Sequence, residues 1–131
     1  MGAHPYFTPV EHTAFARRTL GEGPLLAPEQ GFLLNSDPVA ARAAARAHMG
    51  YYLALDNYRN NLLRLGFDEE DVAGDGSDRL VDAIVAWGDV ESVTARVKAH
   101  LDAGADHVCV QALGPDPLEE LRQAAPSLTA L

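Results

Sequence analysis

The chain holds a single cysteine, Cys109, among 131 residues. It can form no intrachain disulfide and no cysteine-rich metal site, and a reducing, cytoplasmic setting is expected. Basic residues are also scarce: ten Lys and Arg stand against nineteen Asp and Glu, for a net charge of −9. A phosphodiester backbone needs a basic footprint, so this balance argues against nucleic acid as a partner and disfavours an anionic membrane surface. No apolar run approaches the length of a bilayer span. No basic segment followed by an apolar stretch opens the chain as a signal peptide would. The usual catalytic signatures are missing too. There is no P-loop, no G-x-G-x-x-G and no G-x-S-x-G, and the five histidines never fall as H-x-x-x-H or within H-E-x-x-H. These absences leave the reaction unnamed, point to no metal and single out no catalytic residue.

What is present is a single domain's worth of apolar residues, 47% of the chain, arranged as short apolar runs alternating with helical segments. That order is the pattern of an α/β fold with parallel strands. The first strand is expected at Ala3–Phe7. Thr8-Pro9-Val10-Glu11 then reads as a capping box with proline at the first helical position, opening a helix that Gly21 and Gly23 end. A second strand is expected over Leu25–Leu34, with Pro28 marking a bulge or an edge. Ser36-Asp37-Pro38 caps an Ala- and Arg-rich helix to about Leu53, and Asp56–Leu65 forms another that stops at Gly66. Asp68–Gly76 reads as a surface loop or single turn. Ser77-Asp78 opens a helix to about Ala86, and Asp89 caps the next, with Val90, Val93, Val97 and Leu101 on its buried face. Gly104 ends that helix, His107–Leu113 is the third strand, and Asp116-Pro117 opens a last helix that Pro126 closes. Three parallel strands would leave two open edges of unpaired backbone groups.

Polar residues interrupt strands that ought to be continuously apolar. Glu29 and Gln30 break the second strand, and Gln111 sits near the carboxyl end of the third. Ligands collect beyond the carboxyl ends of parallel strands, so Gln111 is either a ligand contact or a satisfied core amide. Glu29 is open to the same two readings. Thr8 holds the matching place after the first strand, where a helix N-terminus suits phosphate, though ordinary capping also explains it. His4 points from the first strand and could face a pocket. His12, His48 and His100 fall in helices and are expected at the surface or the core edge, and Cys109 reads as a small buried hydrophobe.

Several stretches form a familiar series: Gly2-Ala3-His4-Pro5-Tyr6-Phe7-Thr8-Pro9 with Glu11-His12-Thr13, Leu25-Leu26-Ala27-Pro28-Glu29-Gln30, and Asn57-Tyr58-Arg59-Asn60-Asn61-Leu62. Gly76-Ser77-Asp78-Arg79-Leu80 and Ala103-Gly104-Ala105-Asp106-His107-Val108-Cys109-Val110-Gln111 follow. The series resembles the C-terminal portion of luciferase-like monooxygenase family proteins, in the branch that uses the deazaflavin coenzyme F420. The resemblance implies a partial (β/α)8 barrel over residues 1–131, made of units like the sixth to eighth, with a helical insertion at about residues 54–88. A full barrel takes about 250 residues, so strands one to five are absent. It further implies hydride transfer between F420, or alternatively flavin mononucleotide, and an unknown organic substrate. On this template Tyr6, Phe7, Thr8 and Gln111 hold the cofactor, while His4 and Glu29 line the substrate pocket. The partners implied are a small-molecule substrate and either a second copy or a separate barrel half. Two other functions stay open: a split or truncated barrel with no activity of its own, and a small-ligand binding module.

Overall fold

The structure, a computed structural model, describes residues 1–131. It is built from six helices and short, all-parallel strands, and no barrel closes. The order is β1 (Gly2–Ala3), α1 (Val10–Leu20), β2 (Leu25–Leu26), β3 (Glu29–Leu33), α2 (Pro38–Leu53), α3 (Asp56–Arg64), α4 (Asp78–Ile84), β4 (Val85–Trp87), α5 (Val90–Asp102), β5 (Cys109–Ala112) and α6 (Pro117–Leu128). No helix is long and apolar enough to cross a membrane.

The segment Leu25–Leu33 is the spine. It is one extended stretch broken at Ala27-Pro28 into β2 and β3, as the missing proline N–H requires. Its odd-numbered residues bond one flank: Ala27 and Glu29 donate to the carbonyls of Ala3 and Pro5, and Leu33 accepts from Gly88. Its even-numbered residues bond the other flank: Leu26 accepts from Asp106, Pro28 from Cys109 and Phe32 from Leu113. β5 therefore runs along one side of the spine. β1 and then β4 share the opposite side, β4 in register at Gly31–Leu33. The handover occurs at Phe7, a non-glycine residue at φ 58°. That left-handed turn carries the chain away from the spine, and β4 fills the ladder it vacates. The left-handed geometry costs energy in an L-residue, and the buried Phe7 ring, stacked on Tyr52 with centroids 5.1 Å apart, holds it there.

Strand alternation sorts the spine's side chains into two faces. Gln30 and Phe32 point toward the helices, Phe32 packing with Ala86, Val93 and Ala124. Glu29, Gly31 and Leu33 point to the other, inner face. At the carboxyl ends of the strands that face meets α2, α3 and α4: Phe7 and Leu33 join Met49, Leu53, Leu62, Leu80 and Val81 in the largest core cluster, with Leu113 packed against it. Asp82 ties this roof to β4. It accepts from Arg42 Nε at 3.0 Å and Nη2 at 2.6 Å, and from the Trp87 indole at 2.8 Å.

Several expectations change. The strands are five short segments rather than three, because the expected Leu25–Leu34 strand divides into β2 and β3 and because β4 lies where a helix was expected to reach Ala86. The segment read as a helical insertion thus contains a strand. Pro126 does not close the last helix but sits inside α6; Thr129 N–H still donates to Ala125 at 2.9 Å beyond it. Thr8 caps nothing: the residue before α1 is Pro9, and no side chain caps that end. His100, expected near the surface, has no exposed area at all. The other caps hold, Asp37, Ser77, Asp89 and Asp116 each accepting a backbone N–H at its helix start.

Candidate functional site

The inner face and the strand ends bring three of the six sequence-predicted residues together, Tyr6, Glu29 and Gln111. Glu29 and Gly31 of β3 stand in register with Cys109 and Gln111 of β5. A side chain on Gly31 would strike Leu113 Cδ1 at 2.9 Å, and Glu29 Oε1 lies 3.4 Å from the same point. Across the spine, the Tyr6 hydroxyl donates to Gln111 Oε1 at 2.9 Å. Its one proton being spent there, the 3.1 Å contact with Tyr52 must be a donation from Tyr52 to Tyr6. Tyr52, Tyr58, Tyr6 and Phe7 form an aromatic lip around this point, with ring centroids 5.1–5.7 Å apart.

Glu29 is the most unusual group in it. The residue is 8% exposed, and Oε1 is buried with no hydrogen-bond partner. Burial pushes its carboxyl up to about 7, offset in part by the Phe7 backbone amide and by His4. Burial likewise raises the Tyr6 hydroxyl, and the Tyr52 bond and the Glu29 charge push it further. A carboxyl that titrates near 7 beside a fixed phenol can hold or release a proton to something placed against this face.

The remaining predicted residues separate. The Phe7 ring is buried in the core, so only its backbone amide faces Glu29. His4 is exposed and donates through Nδ1 to Ala27 at 2.6 Å. Thr8 is 6% exposed, and its hydroxyl, like Nδ1 of His12, is buried without a partner. No group of three or more His, Cys, Asp or Glu side chains is placed to hold a metal ion.

On the helix-facing side lies a polar cluster that sequence reading missed. Gln30 Nε2 donates to the carbonyls of Gly31 and Ile84 at 2.8 and 2.9 Å. Its oxygen must then accept from His100 Nε2 at 2.9 Å, and His100 Nδ1 accepts from the Thr13 hydroxyl at 2.8 Å. The Gln30 amide, both His100 ring nitrogens and the Thr13 hydroxyl are thus all partnered, and the imidazole is held neutral, burial and Arg96 depressing it to about 4. The only sequence signal for it was Gln30, an amide in an apolar strand.

An α/β wall of parallel strands, polar on its inner face and roofed by helices at the strand ends, is the class of protein these features define. No family model matches the sequence, and no curated protein matches it. In fold the chain is similar to a solved F420-dependent secondary alcohol dehydrogenase in complex with an F420-acetone adduct, with a TM-score of 0.63 at 13% identity. The match covers 97% of this chain and 42% of that one, so the chain spans less than half the length of the dehydrogenase it resembles.

Proposed function

We propose that this chain is the C-terminal wall, units like the sixth to eighth, of a luciferase-like (β/α)8 oxidoreductase that uses coenzyme F420, with flavin mononucleotide as the alternative, and an organic substrate. The observation that carries the reading is the fold similarity over 97% of the chain to a dehydrogenase described with an F420 adduct. When bound, the cofactor supplies the hydride chemistry. The residues here fit such a ligand in one respect: the buried Thr8 hydroxyl and Glu29 Oε1 lack partners that a bound molecule could provide. Tyr6, Thr8 and Gln111 would hold the cofactor, Phe7 acting through its backbone. His4 and Glu29 would face the substrate, with Glu29 managing a proton. Titration of the purified chain with F420 and with flavin mononucleotide, followed by absorbance, tests this. We expect F420 to bind more tightly than flavin mononucleotide, and failure of both to bind would overturn the reading. Binding without turnover of any alcohol or ketone would favour a binding module.

Completion of the wall is a second reading, favoured by its open edges. The even-numbered backbone groups of β5 point away from the spine, and that edge lines an apolar groove of about 630 Å³ between Val97, Leu101, Val108, Val110 and Leu128. Unpaired parallel edges of this kind recruit further strands, from a second copy or a separate barrel half. Sedimentation at tens of micromolar should therefore show species heavier than the 14.0 kDa chain; a single sharp monomer boundary would count against it.

A further inference from the structure

We infer that Tyr6, Tyr52 and Tyr51 form a relay that carries a one-electron oxidising equivalent from the inner face to the surface, so that a radical formed against this wall drains to solvent. The chain holds four tyrosines, and all of them meet at Tyr52. Its ring centroid lies 5.2 Å from those of Tyr6, Tyr51 and Tyr58. They come from three places in the fold: the segment after β1, α2 and α3. The series has an inner end and an open end. The Tyr6 hydroxyl stands on Gln111 at 2.9 Å, whereas Tyr51 is 70% exposed and stacks edge-on against Tyr52.

Packing alone is served by phenylalanine, as at Phe7, which stacks on the same Tyr52 ring at 5.1 Å. What the phenols add is a hydroxyl chain with a forced direction. The Tyr6 proton goes to Gln111, so Tyr52 donates to Tyr6 across 3.1 Å. Burial, and then the Tyr52 bond, keep the Tyr6 hydroxyl protonated well above the ordinary tyrosine range, so Tyr6 loses its electron together with its proton. The oxidant class that fits is an organic peroxyl radical on a molecule held against the inner face. It takes the hydrogen atom of Tyr6, becomes a hydroperoxide and leaves a phenoxyl radical on Tyr6. The Tyr52 hydrogen already points at that oxygen. Its transfer along the existing bond restores the Tyr6 hydroxyl and moves the radical outward to Tyr52; the opposite donor direction would offer no hydrogen. Tyr52 and Tyr51 share a ring contact only. An electron therefore crosses from Tyr51, whose exposed hydroxyl gives its proton to water, and water returns one to the part-exposed Tyr52. The net change is one hydrogen atom moved from Tyr51 to the peroxyl radical. A thiol or ascorbate in solvent, itself oxidised by one electron, restores Tyr51.

The relay does not depend on the oxidoreductase reading, because it needs only a radical at the inner face. The chain supplies its own point of injection. Cys109, its single cysteine, is free and part exposed, lies in register with Glu29 and stands two residues before Gln111 on β5. A ruthenium polypyridyl maleimide attached there and flashed with a cobalt(III) electron acceptor delivers a one-electron hole, the Tyr6 proton going to buffer. A nitroso spin trap, located by peptide mass spectrometry, reports where the radical ends. The background is the Cys109→Ser chain flashed with the same complex free in solution. We expect the adduct on Tyr51, at a yield independent of protein concentration. Tyr52→Phe keeps the ring and removes the hydroxyl, so the Tyr51 adduct should fall to background while Tyr6 becomes the trapped residue. Tyr51→Phe, at an exposed position that the fold does not need, should leave the adduct on Tyr52. Circular dichroism like the parent's shows that each variant and the labelled chain remain folded. The relay is overturned if the parent gives no Tyr51 adduct above background, if Tyr58 is trapped in its place, or if Tyr52→Phe and Tyr6→Phe leave the Tyr51 yield at the parental level.

Discussion

Replacing His100 with alanine should cost the fold about 3–5 kcal/mol in urea unfolding at pH 7.5. The ring has no exposed area, so its removal leaves a cavity. It also strands Gln30 Oε1 and the Thr13 hydroxyl, which the ring joins at 2.9 and 2.8 Å, and each unmatched buried polar atom adds about 1–3 kcal/mol. Thr13→Val keeps the shape and strands only His100 Nδ1, so it should cost less, about 1–3 kcal/mol. A loss below about 1 kcal/mol for His100→Ala would show that the three-residue chain contributes little.

The same residue sets a pH dependence. His100 titrates near 4 in the folded chain against 6.5 when unfolded. Between those values the unfolded chain binds the proton and the folded chain does not, so stability falls as pH falls, by up to about 1.4 kcal/mol per pH unit. His12 and His48 are also lowered, by burial first, and act with the same sign. In His100→Ala the His100 share of the slope should disappear.

How much of this could be read from the sequence depended on how local the physics was. The helix starts at Asp37, Ser77, Asp89 and Asp116 were legible because a cap is made within three residues of itself. The polar strand positions Glu29 and Gln111 were legible as exceptions to an apolar run. β4 was not, because Val85–Trp87 becomes a strand only where Phe7 turns β1 off the spine, a tertiary event some eighty residues upstream. The Thr8 cap failed because Pro9 takes the position before α1 and leaves the hydroxyl with nothing to accept it. His100 looked like a helix-surface residue because its partners lie 87 and 70 positions away, on Thr13 and Gln30. The α3 contribution to the cavity that Thr8 lines was invisible for the same reason: the Asn-Tyr-Arg-Asn-Asn stretch stood out as poor helix composition, but only the fold sets it against the β1–α1 loop.

Glu29→Gln should make the chain more stable at pH 8, by about 2–3 kcal/mol, and leave it nearly unchanged at pH 4. The carboxyl titrates near 7 when folded against 4.5 unfolded, with burial as the main cause. Between those values the folded chain keeps the proton that the unfolded chain gives up, so stability falls as pH rises, by up to about 1.4 kcal/mol per unit. This slope opposes that of His100 over the window from 4.5 to 6.5 which both share, and in the parent it offsets part of the slope that His100, His12 and His48 give together. Glutamine keeps the shape and never ionises, so the variant should expose the His100 slope, stability rising with pH. His100→Ala should lose the His100 share, so its slope there should lie closer to the one Glu29 sets. A Glu29→Gln variant less stable than the parent at pH 8 would show that the buried Glu29 charge costs the fold nothing. In the oxidoreductase reading proposed above, where Glu29 faces the substrate, the Gln variant should bind F420 like the parent yet lose whatever turnover needs a proton at Glu29. If turnover survives the substitution at the parental rate, the carboxyl has no part in the chemistry, and its strained burial must be relieved by something else that packs against the inner face.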